Sequence, residues 1–491
     1  MELTEERRRN MHKAAGAFVD GSRKRREVAV QIRRKKREEV LDEKRKLNME
    51  NCSSFHNISL EERQKLFKGS KSEILELLNK YNNNLSSDVS TVIGELLSAR
   101  ILARICEIAV SYEDECAFSA QKLLASFYAP STTADTVSNP LIKCMCVIKQ
   151  GMNLSSLNAI DAVELLQAIS LFVENTYAFR NVFFLEDFLP CSLGLLNKYP
   201  NDLQVAESFV WLLSLLSRDL NRYLPPPEKL QEYVLVLKNG VESKNLDFKF
   251  GCIKILEIVA SSGNDQAKIV ENTGVVSDLL EIMESEEEES MVPLLSILCS
   301  VERVNDELPG EIFKRGLMKT LVSNMTSALM ARDICYLLYS ICENNREEAA
   351  QQAIDAGALQ KLPRVLERMG FDCRREGVFF LSSVLLFTGP EVLDQIIQTN
   401  ILRNLSDSLT VLDTELLNEL LFIFQIVLGH GEKVTKEKHL EQNPVAVAFE
   451  EFGGRARLDY LVQRDLSMIS VKAQRLIDEF LEIPEEQLYV L

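Results

Sequence analysis

From about residue 70 onward, apolar residues recur at spacings of three and four. This spacing places them on one face of an α-helix, whereas alternating strand-like runs flanked by turn residues are nearly absent. The longest apolar stretches, such as residues 377–387 (GVFFLSSVLLF), are shorter than the roughly 18 residues that indicate a membrane span. The pattern predicts an all-α body with no membrane-spanning segment.

The C-terminal half contains similar segments, each with Gly or Asn just before an apolar helix: ENTGVVSDLLEIM, FKRGLMKTLVSNM, IDAGALQKLPRVL and QTNILRNLSDSL. The turn residues Gly274, Gly316, Gly357 and Asn400 are 42, 41 and 43 residues apart. A fifth copy, FEEFGGRARLDYL, has Gly454 another 54 residues on, and a polar insertion at 430–442 accounts for the excess. A helical period of about 40 to 47 residues is typical of armadillo and HEAT repeats.

A Gly or Asn at these positions has a physical reason, because both tolerate the left-handed backbone that lets one helix end and the next fold back. Extending the period backwards reaches Asp187, Leu141 and Ala99, which gives about nine junctions. We therefore expect residues 70–491 to form a right-handed armadillo solenoid of eight to ten repeats, since a short helix precedes each junction. Residues 70–491 are called the body below.

The N-terminal 47 residues differ from the body in charge. This segment, called the arm below, has 16 Lys or Arg against 9 Asp or Glu, a net charge of +7. Since the whole chain carries −17, the remaining 444 residues carry −24. An acidic body repels nucleic-acid phosphates and attracts basic peptides, with a strength that salt reduces. Residues 48–69 are polar and are predicted to be a flexible linker.

The sequence offers little for catalysis, metals or cofactors. The four histidines, His12, His56, His430 and His439, fall in the arm, the linker or the insertion and show no ligand spacing. No phosphate-binding glycine loop or nucleophile elbow is present. Eleven cysteines are scattered, many inside apolar runs, and are expected to be buried and reduced. The N-terminus has no apolar segment typical of a secretory signal. We expect a binding protein without enzymatic activity or cofactor.

The stretch RRRNMHKAAGAFVDGSRKRREVAVQIRRKKREEVLDEKRKL, residues 7–47, resembles the importin-β-binding domain of the importin-α family. Residues 176–181 (TYAFRN), 354–359 (IDAGAL) and 450–461 (EEFGGRARLDYL) resemble parts of its armadillo repeats. The resemblance implies that the arm binds importin β. The residues it assigns to that contact are Arg7, Arg8, Arg9, Lys13, Arg23, Lys24, Arg25, Arg26, Arg33, Arg34, Lys35, Lys36, Arg37, Lys44 and Arg45.

The body departs from the family at the cargo groove. There the family binds basic nuclear localisation signals with Trp and Asn one turn apart on the third helix of most repeats. Indole faces attract cations, and amides clamp a peptide backbone. This chain has one Trp, Trp211, followed one turn later by Leu215. The other expected groove positions hold Tyr336 with Ser340, Phe379 with Ser383, and Gln167 with Leu171, and Asn175 stands in place of a carboxylate.

Two interpretations of this groove stay open: it binds fewer or different basic cargoes, or another surface of the body binds a dedicated cargo. The resemblance implies an import adaptor that shuttles between cytoplasm and nucleus, with an export receptor at the C-terminal repeat. An alternative is an armadillo scaffold whose arm is itself a nuclear localisation signal or binds nucleic acid. The match through residues 27–34 (EVAVQIRR) and both flanking clusters favours the adaptor, because phosphate binding alone does not require it.

Overall fold

A computed structural model describes most of the body. The described residues are 58–83, 96, 100–110, 114–126, 140–153, 157–175, 177–218, 220, 224–284, 288–464 and 467–481. The arm lies outside these ranges. The chain divides into two compact units, Met1–Lys229 and Leu230–Leu491, which are treated separately below.

The described part of the first unit contains nine complete helices. They are α1 (Leu60–Lys68), α2 (Lys71–Asn83), α3 (Leu102–Val110), α4 (Glu115–Ser126), α5 (Pro140–Met152), α6 (Ala159–Asn175), α7 (Tyr177–Leu185), α8 (Phe188–Lys198) and α9 (Leu203–Leu216). Helix α10 (Pro227–Val241) begins at the end of this unit and continues into the next.

The described part of the second unit continues with fifteen helices. They are α11 (Leu246–Ala260), α12 (Asn264–Asn272), α13 (Val275–Glu284), α14 (Glu288–Glu302), α15 (Leu308–Lys314), α16 (Met318–Asn324), α17 (Ala331–Asp355), α18 (Ala358–Arg368), α19 (Phe371–Leu385), α20 (Pro390–Gln398), α21 (Ile401–Ser408), α22 (Thr414–Lys438), α23 (Pro444–Glu451), α24 (Gly454–Gln463) and α25 (Ser467–Phe480).

These helices follow a repeating order of two shorter helices and one longer one, as in α12, α13 and α14. The longer helices are called third helices below: α6 and α9 in the first unit, and α11, α14, α17, α19, α22 and α25 in the second. In the second unit each third helix packs on the next. Helix α17 is broken at Arg346 (φ +49°), so its first part is a third helix and the rest begins the next repeat. The predicted all-α armadillo architecture is confirmed.

The junctions between the two shorter helices use left-handed backbone, as predicted. Gly274, Gly316 and Gly357 have φ of +73°, +72° and +89°. Two of the extrapolated junctions also have a left-handed residue, although it is not a glycine. Asp187 itself has φ +51°, and Arg100, next to Ala99, has φ +55°. Because a side chain at positive φ is strained, these two positions have a cost that the glycines avoid.

Two junction residues are corrected. Asn400 has φ −72° and ψ 6°, so this junction turns without the left-handed residue expected there. At the last junction the left-handed residue is Gly453 (φ +74°), and Gly454 is the first residue of α24. Gly454 is needed for a different reason, because a Cβ atom there would overlap the ring of Phe449.

The predicted flexible linker is partly wrong. Residues 60–68 of the linker form α1. At its start the Ser59 hydroxyl accepts a hydrogen bond from the Glu62 amide, and the Glu62 carboxylate accepts one from the Ser59 amide. Most of the predicted insertion continues α22 as far as Lys438, and His430 is buried with its Nε2 2.8 Å from Asp394 Oδ1. Within the described ranges no helix is long and apolar enough to cross a bilayer.

One buried carboxyl group in the first unit affects stability. Glu164 on α6 is buried, and its Oε1 accepts a hydrogen bond from the Ala103 amide (3.4 Å) at the start of α3. Burial raises the pKa of Glu164 from 4.5 to about 8, although the amides of Ala103 and Leu102 act in the opposite direction. The folded chain therefore retains this proton near neutral pH.

The left-handed junctions can be tested with two glycines of one repeat. Gly316→Ala is expected to lower the free energy of unfolding by about 1 kcal/mol, because Ala is strained at φ +72° although the space around it is open. Gly310→Ala, inside α15 and equally open, is expected to raise it by about 0.5–1 kcal/mol. Chemical denaturation of both variants measures the difference. Equal effects of both substitutions would contradict the role of the junction.

The protonation of Glu164 can be tested by pH. Because its folded pKa is raised, its stabilising effect is complete below about pH 4.5 and is lost as the pH rises through about 8. Glu164→Gln has no proton to lose, so its stability relative to the unaltered chain should increase steadily over that range. Melting temperatures measured at several pH values give this difference, with the exposed Glu115→Gln as control. A difference that does not vary with pH would contradict the assignment.

Candidate cargo-binding helices

The residues assigned to importin β all lie in the arm, outside the described residues. The other predicted site residues lie on third helices, and they can be compared with the structure one by one. Asn175 is the last residue of α6, but its side chain is not among those described.

Trp211 lies in the middle of α9. Asp202 caps the start of this helix, because its Oδ1 accepts hydrogen bonds from the amides of Gln204 and Val205, both at 3.0 Å. The Trp211 indole is half-buried, so part of it is accessible to a ligand. Leu215, one turn later, is fully buried. Helix α9 therefore offers a partly exposed aromatic face with no amide beside it.

Helix α6 packs against α9 and is joined to the chain that follows α9. Arg180 of α7, the helix that follows α6, is buried. It donates hydrogen bonds to the carbonyls of Val173 in α6 (3.0 Å) and of Arg218 just after α9 (2.5 Å). Gln167 and Leu171 of α6 are half-buried. These contacts fix the ends of the two third helices relative to each other.

Tyr336 and Ser340 of α17 are core residues, which corrects their assignment to a groove surface. Tyr336 is 7% exposed and its hydroxyl donates a hydrogen bond to Oε2 of Glu302, at the end of α14. Burial raises the pKa of Tyr336, and the neighbouring Glu302 carboxylate raises it further. Ser340 is 1% exposed. The physical reason is that the adjacent third helix covers this face of α17.

Phe379 and Ser383 of α19 are corrected in the same way. Phe379 is 2% exposed and lies edge-on to Tyr339, with ring centres 5.9 Å apart. Ser383 is buried and its hydroxyl donates to the Phe380 carbonyl in the same helix (2.7 Å). In this structure neither side chain is accessible to a peptide.

A network of charged side chains, which the sequence analysis missed, joins α19 to α22. Arg375 of α19 donates through Nε to Asp413 Oδ2 (2.8 Å), through Nη1 to Glu376 Oε1 (3.1 Å) and through Nη2 to Glu415 Oε2 (2.9 Å). Burial raises the pKa of Glu376 to about 7, although Arg375 acts in the opposite direction. Asp413 and Glu415 follow Arg375 by 38 and 40 residues, about one repeat, and this spacing could have indicated the network.

A second polar contact joins the same helices one to two turns further on. Ser382 donates its hydroxyl hydrogen to Glu419 Oε2 at 2.6 Å, and both residues are buried. Side chains that could bind a peptide are therefore used within the chain at α19 and α22. Of the predicted aromatic groove positions Trp211, Tyr336 and Phe379, Trp211 is the one that keeps part of its surface accessible, and Gln167 and Leu171 of α6 are half-buried as well.

The described cysteines do not form disulfides. Burial raises the pKa of the Cys106, Cys299 and Cys335 thiols well above their ordinary value, so they are protonated at neutral pH. Within the described ranges no group of three or more His, Cys, Asp or Glu side chains is arranged to hold a metal ion.

Comparison with known proteins gives one domain match and one curated relative. Residues 8–94 match the model of the importin beta binding domain. Importin subunit alpha-1 of Caenorhabditis elegans is 22% identical over 345 residues, which cover 68% of this chain and 63% of the relative. The matched region thus spans less than two thirds of that relative.

Among solved structures, an engineered protein has a TM-score of 0.53 and 17% identity, covering 85% of this chain and 97% of its own length. This similarity shows the fold alone. A computationally designed armadillo repeat protein for modular peptide recognition has a TM-score of 0.40 and 18% identity, covering 50% of this chain and 99% of its own. The domain match and the curated relative show that the chain is similar to the importin-α family, and its repeats of three helices agree with an armadillo fold.

Proposed function

We propose that this chain is an importin-α-like adaptor for nuclear import, which binds importin β through its arm and carries a protein cargo on its armadillo body. The observation that carries the proposal is the importin beta binding domain match over residues 8–94, which includes the basic residues of the arm from Arg8 onward. The proposal describes a binding protein and not an enzyme.

Electrostatics supports the arm as a ligand for an acidic receptor. The arm has a net charge of +7 in 47 residues, whereas the rest of the chain carries −24. Arginine forks and lysine ammonium groups form strong hydrogen bonds with carboxylates, and many such contacts together give tight binding that weakens with salt. The charge of the body also makes direct binding of nucleic acid by the body unfavourable.

For the body we propose a groove that has lost most of its affinity for basic signals. Trp211 keeps part of its indole accessible, whereas Tyr336, Ser340, Phe379 and Ser383 are buried. A lysine-rich peptide would therefore contact one indole rather than a row of them. A dedicated cargo, bound through a larger surface of the body, agrees better with this arrangement than recognition of many basic signals.

The cycle implied for such an adaptor includes return from the nucleus. We propose that an export receptor contacts the C-terminal repeat, where Asp459 and Glu479 are exposed. The adaptor would then shuttle between cytoplasm and nucleus.

The arm proposal predicts a large loss of affinity for purified importin β when Arg23, Lys24, Arg25 and Arg26 are replaced by Ala. A reduction of about 100-fold or more is expected, because each charge-assisted hydrogen bond contributes about 1.5–3 kcal/mol. Calorimetric titration at physiological salt measures it. The control replaces four exposed body lysines, Lys268, Lys433, Lys436 and Lys438, and should bind like the unaltered chain.

This experiment also separates the alternative functions. If the arm were itself a localisation signal, it would bind an importin α and not importin β alone. If it bound nucleic acid, the four-residue substitution would weaken binding to an oligonucleotide and leave importin β unaffected. Either result would reject the adaptor proposal.

The groove proposal is tested with the chain that lacks residues 1–47 and a lysine-rich signal peptide. Binding should be weak, and Trp211→Ala should weaken it a further 3- to 30-fold, roughly the 0.5–2 kcal/mol expected of a cation over an indole face. Phe371→Ala removes an exposed aromatic from α19 and should have no effect. Peptide affinity equal to that of an ordinary importin α would show that the groove is intact, contrary to the proposal.

A further inference from the structure

Carboxylates of the protein bind the guanidinium nitrogens of Arg375. Its three donor nitrogens each contact a different carboxylate, from Asp413, Glu376 and Glu415, at 2.8, 3.1 and 2.9 Å. Arg375 itself is 8% exposed. Each of its three nitrogens therefore donates to a carboxylate of the protein.

The same group lies over the face of an aromatic ring. The guanidinium carbon of Arg375 lies 4.7 Å from the centre of the Phe379 ring, one turn later in α19. Tyr339 of α17 contacts Phe379 edge-on and holds that ring in place. Carboxylates around the edge and an aromatic ring on the face are the groups that bind an arginine of a separate peptide.

The three carboxylates that Arg375 contacts carry more negative charge than its one guanidinium, although Arg332 of α17 also acts on Glu376. Three carboxylates surround one guanidinium, and Glu376 Oε2 is buried without a hydrogen-bond partner among the described residues. Burial raises the pKa of Glu376 to about 7, so part of this excess is removed by a proton near neutral pH. An environment of this kind favours a cation whether or not it belongs to the chain.

The carboxylate of Asp413 is positioned independently of Arg375. Its Oδ1 accepts from the amides of Glu415 (3.0 Å) and Leu416 (3.1 Å) and so caps α22, while its Oδ2 is left for Arg375. Because the cap holds Asp413 at the start of α22, this part of the site should persist when the guanidinium is removed.

We infer that Arg375 is an internal ligand of a cation site formed by Glu376, Phe379, Asp413 and Glu415, and that it excludes the arginines of basic peptides from α19 and α22. Arg375 is then a specificity-determining residue of the body. The exclusion of peptides rests on the proposed cargo function, whereas the cation site does not.

The experiment uses the full chain with Arg375→Ala and methylguanidinium as the probe. The substitution should lower the melting temperature by roughly 5 °C or more, because three partly buried carboxylates lose their cation. Millimolar methylguanidinium should restore at least about 2 °C in a saturable manner, since a ligand of the folded state alone stabilises it. Sodium chloride at equal concentration, and Arg374→Ala in the same helix, should show no such recovery.

The second measurement concerns peptides. An arginine-rich peptide should bind Arg375→Ala at least about 10-fold more tightly than the unaltered chain. Recovery of stability by methylguanidinium without tighter peptide binding would overturn the exclusion of peptides. That outcome would not affect the proposed binding of the arm to importin β, which is measured separately. If Arg375→Ala does not fold, Arg375→Gln keeps most of the side-chain volume and is tested in the same way. The absence of any specific effect of methylguanidinium in the folded variant would overturn the internal-ligand inference.

Discussion

The structure depends on the burial of third helices against their neighbours. Leu212, Leu337 and Leu381, for example, are fully buried although each lies on a helix that its own repeat is too small to cover. Each repeat therefore gains most of its apolar stabilisation from the repeats beside it. This constraint decides which residues of a third helix can reach a ligand, because any face that a neighbour covers is lost as a binding surface.

Two predicted groove positions on third helices illustrate this effect. Tyr336 and Phe379 occupy places where an exposed aromatic was expected, but the stacking of α14, α17 and α19 buries both. The polar groups that remain there bind each other: Tyr336 binds Glu302, Ser382 binds Glu419, and Arg375 binds three carboxylates. The second unit thus uses internal hydrogen bonds and ion pairs where a peptide groove would need accessible side chains, and Trp211 in the first unit keeps partial exposure.

The repeats could be predicted from the sequence, whereas the burial of the candidate site residues could not. Gly274, Gly316 and Gly357 were recognisable because positive φ restricts the residue type, and their spacing defined the period. The prediction of a left-handed backbone at Asn400 was wrong, because Asn also fits ordinary turns with negative φ. Residues 60–68 were mistaken for linker because their composition is polar, although Ser59 and Glu62 form a capping pair. The burial of Phe379 could not be predicted, since it depends on how closely neighbouring helices approach.

The central claim is that the basic arm is the ligand of importin β. Hydrogen–deuterium exchange of the full chain, with and without purified importin β, tests it most directly because it reports on every segment at once. The account predicts that importin β slows exchange across residues 8–47 and leaves α17, α19 and α22 unchanged. Protection confined to the body, or no protection in the arm at physiological salt, would contradict it.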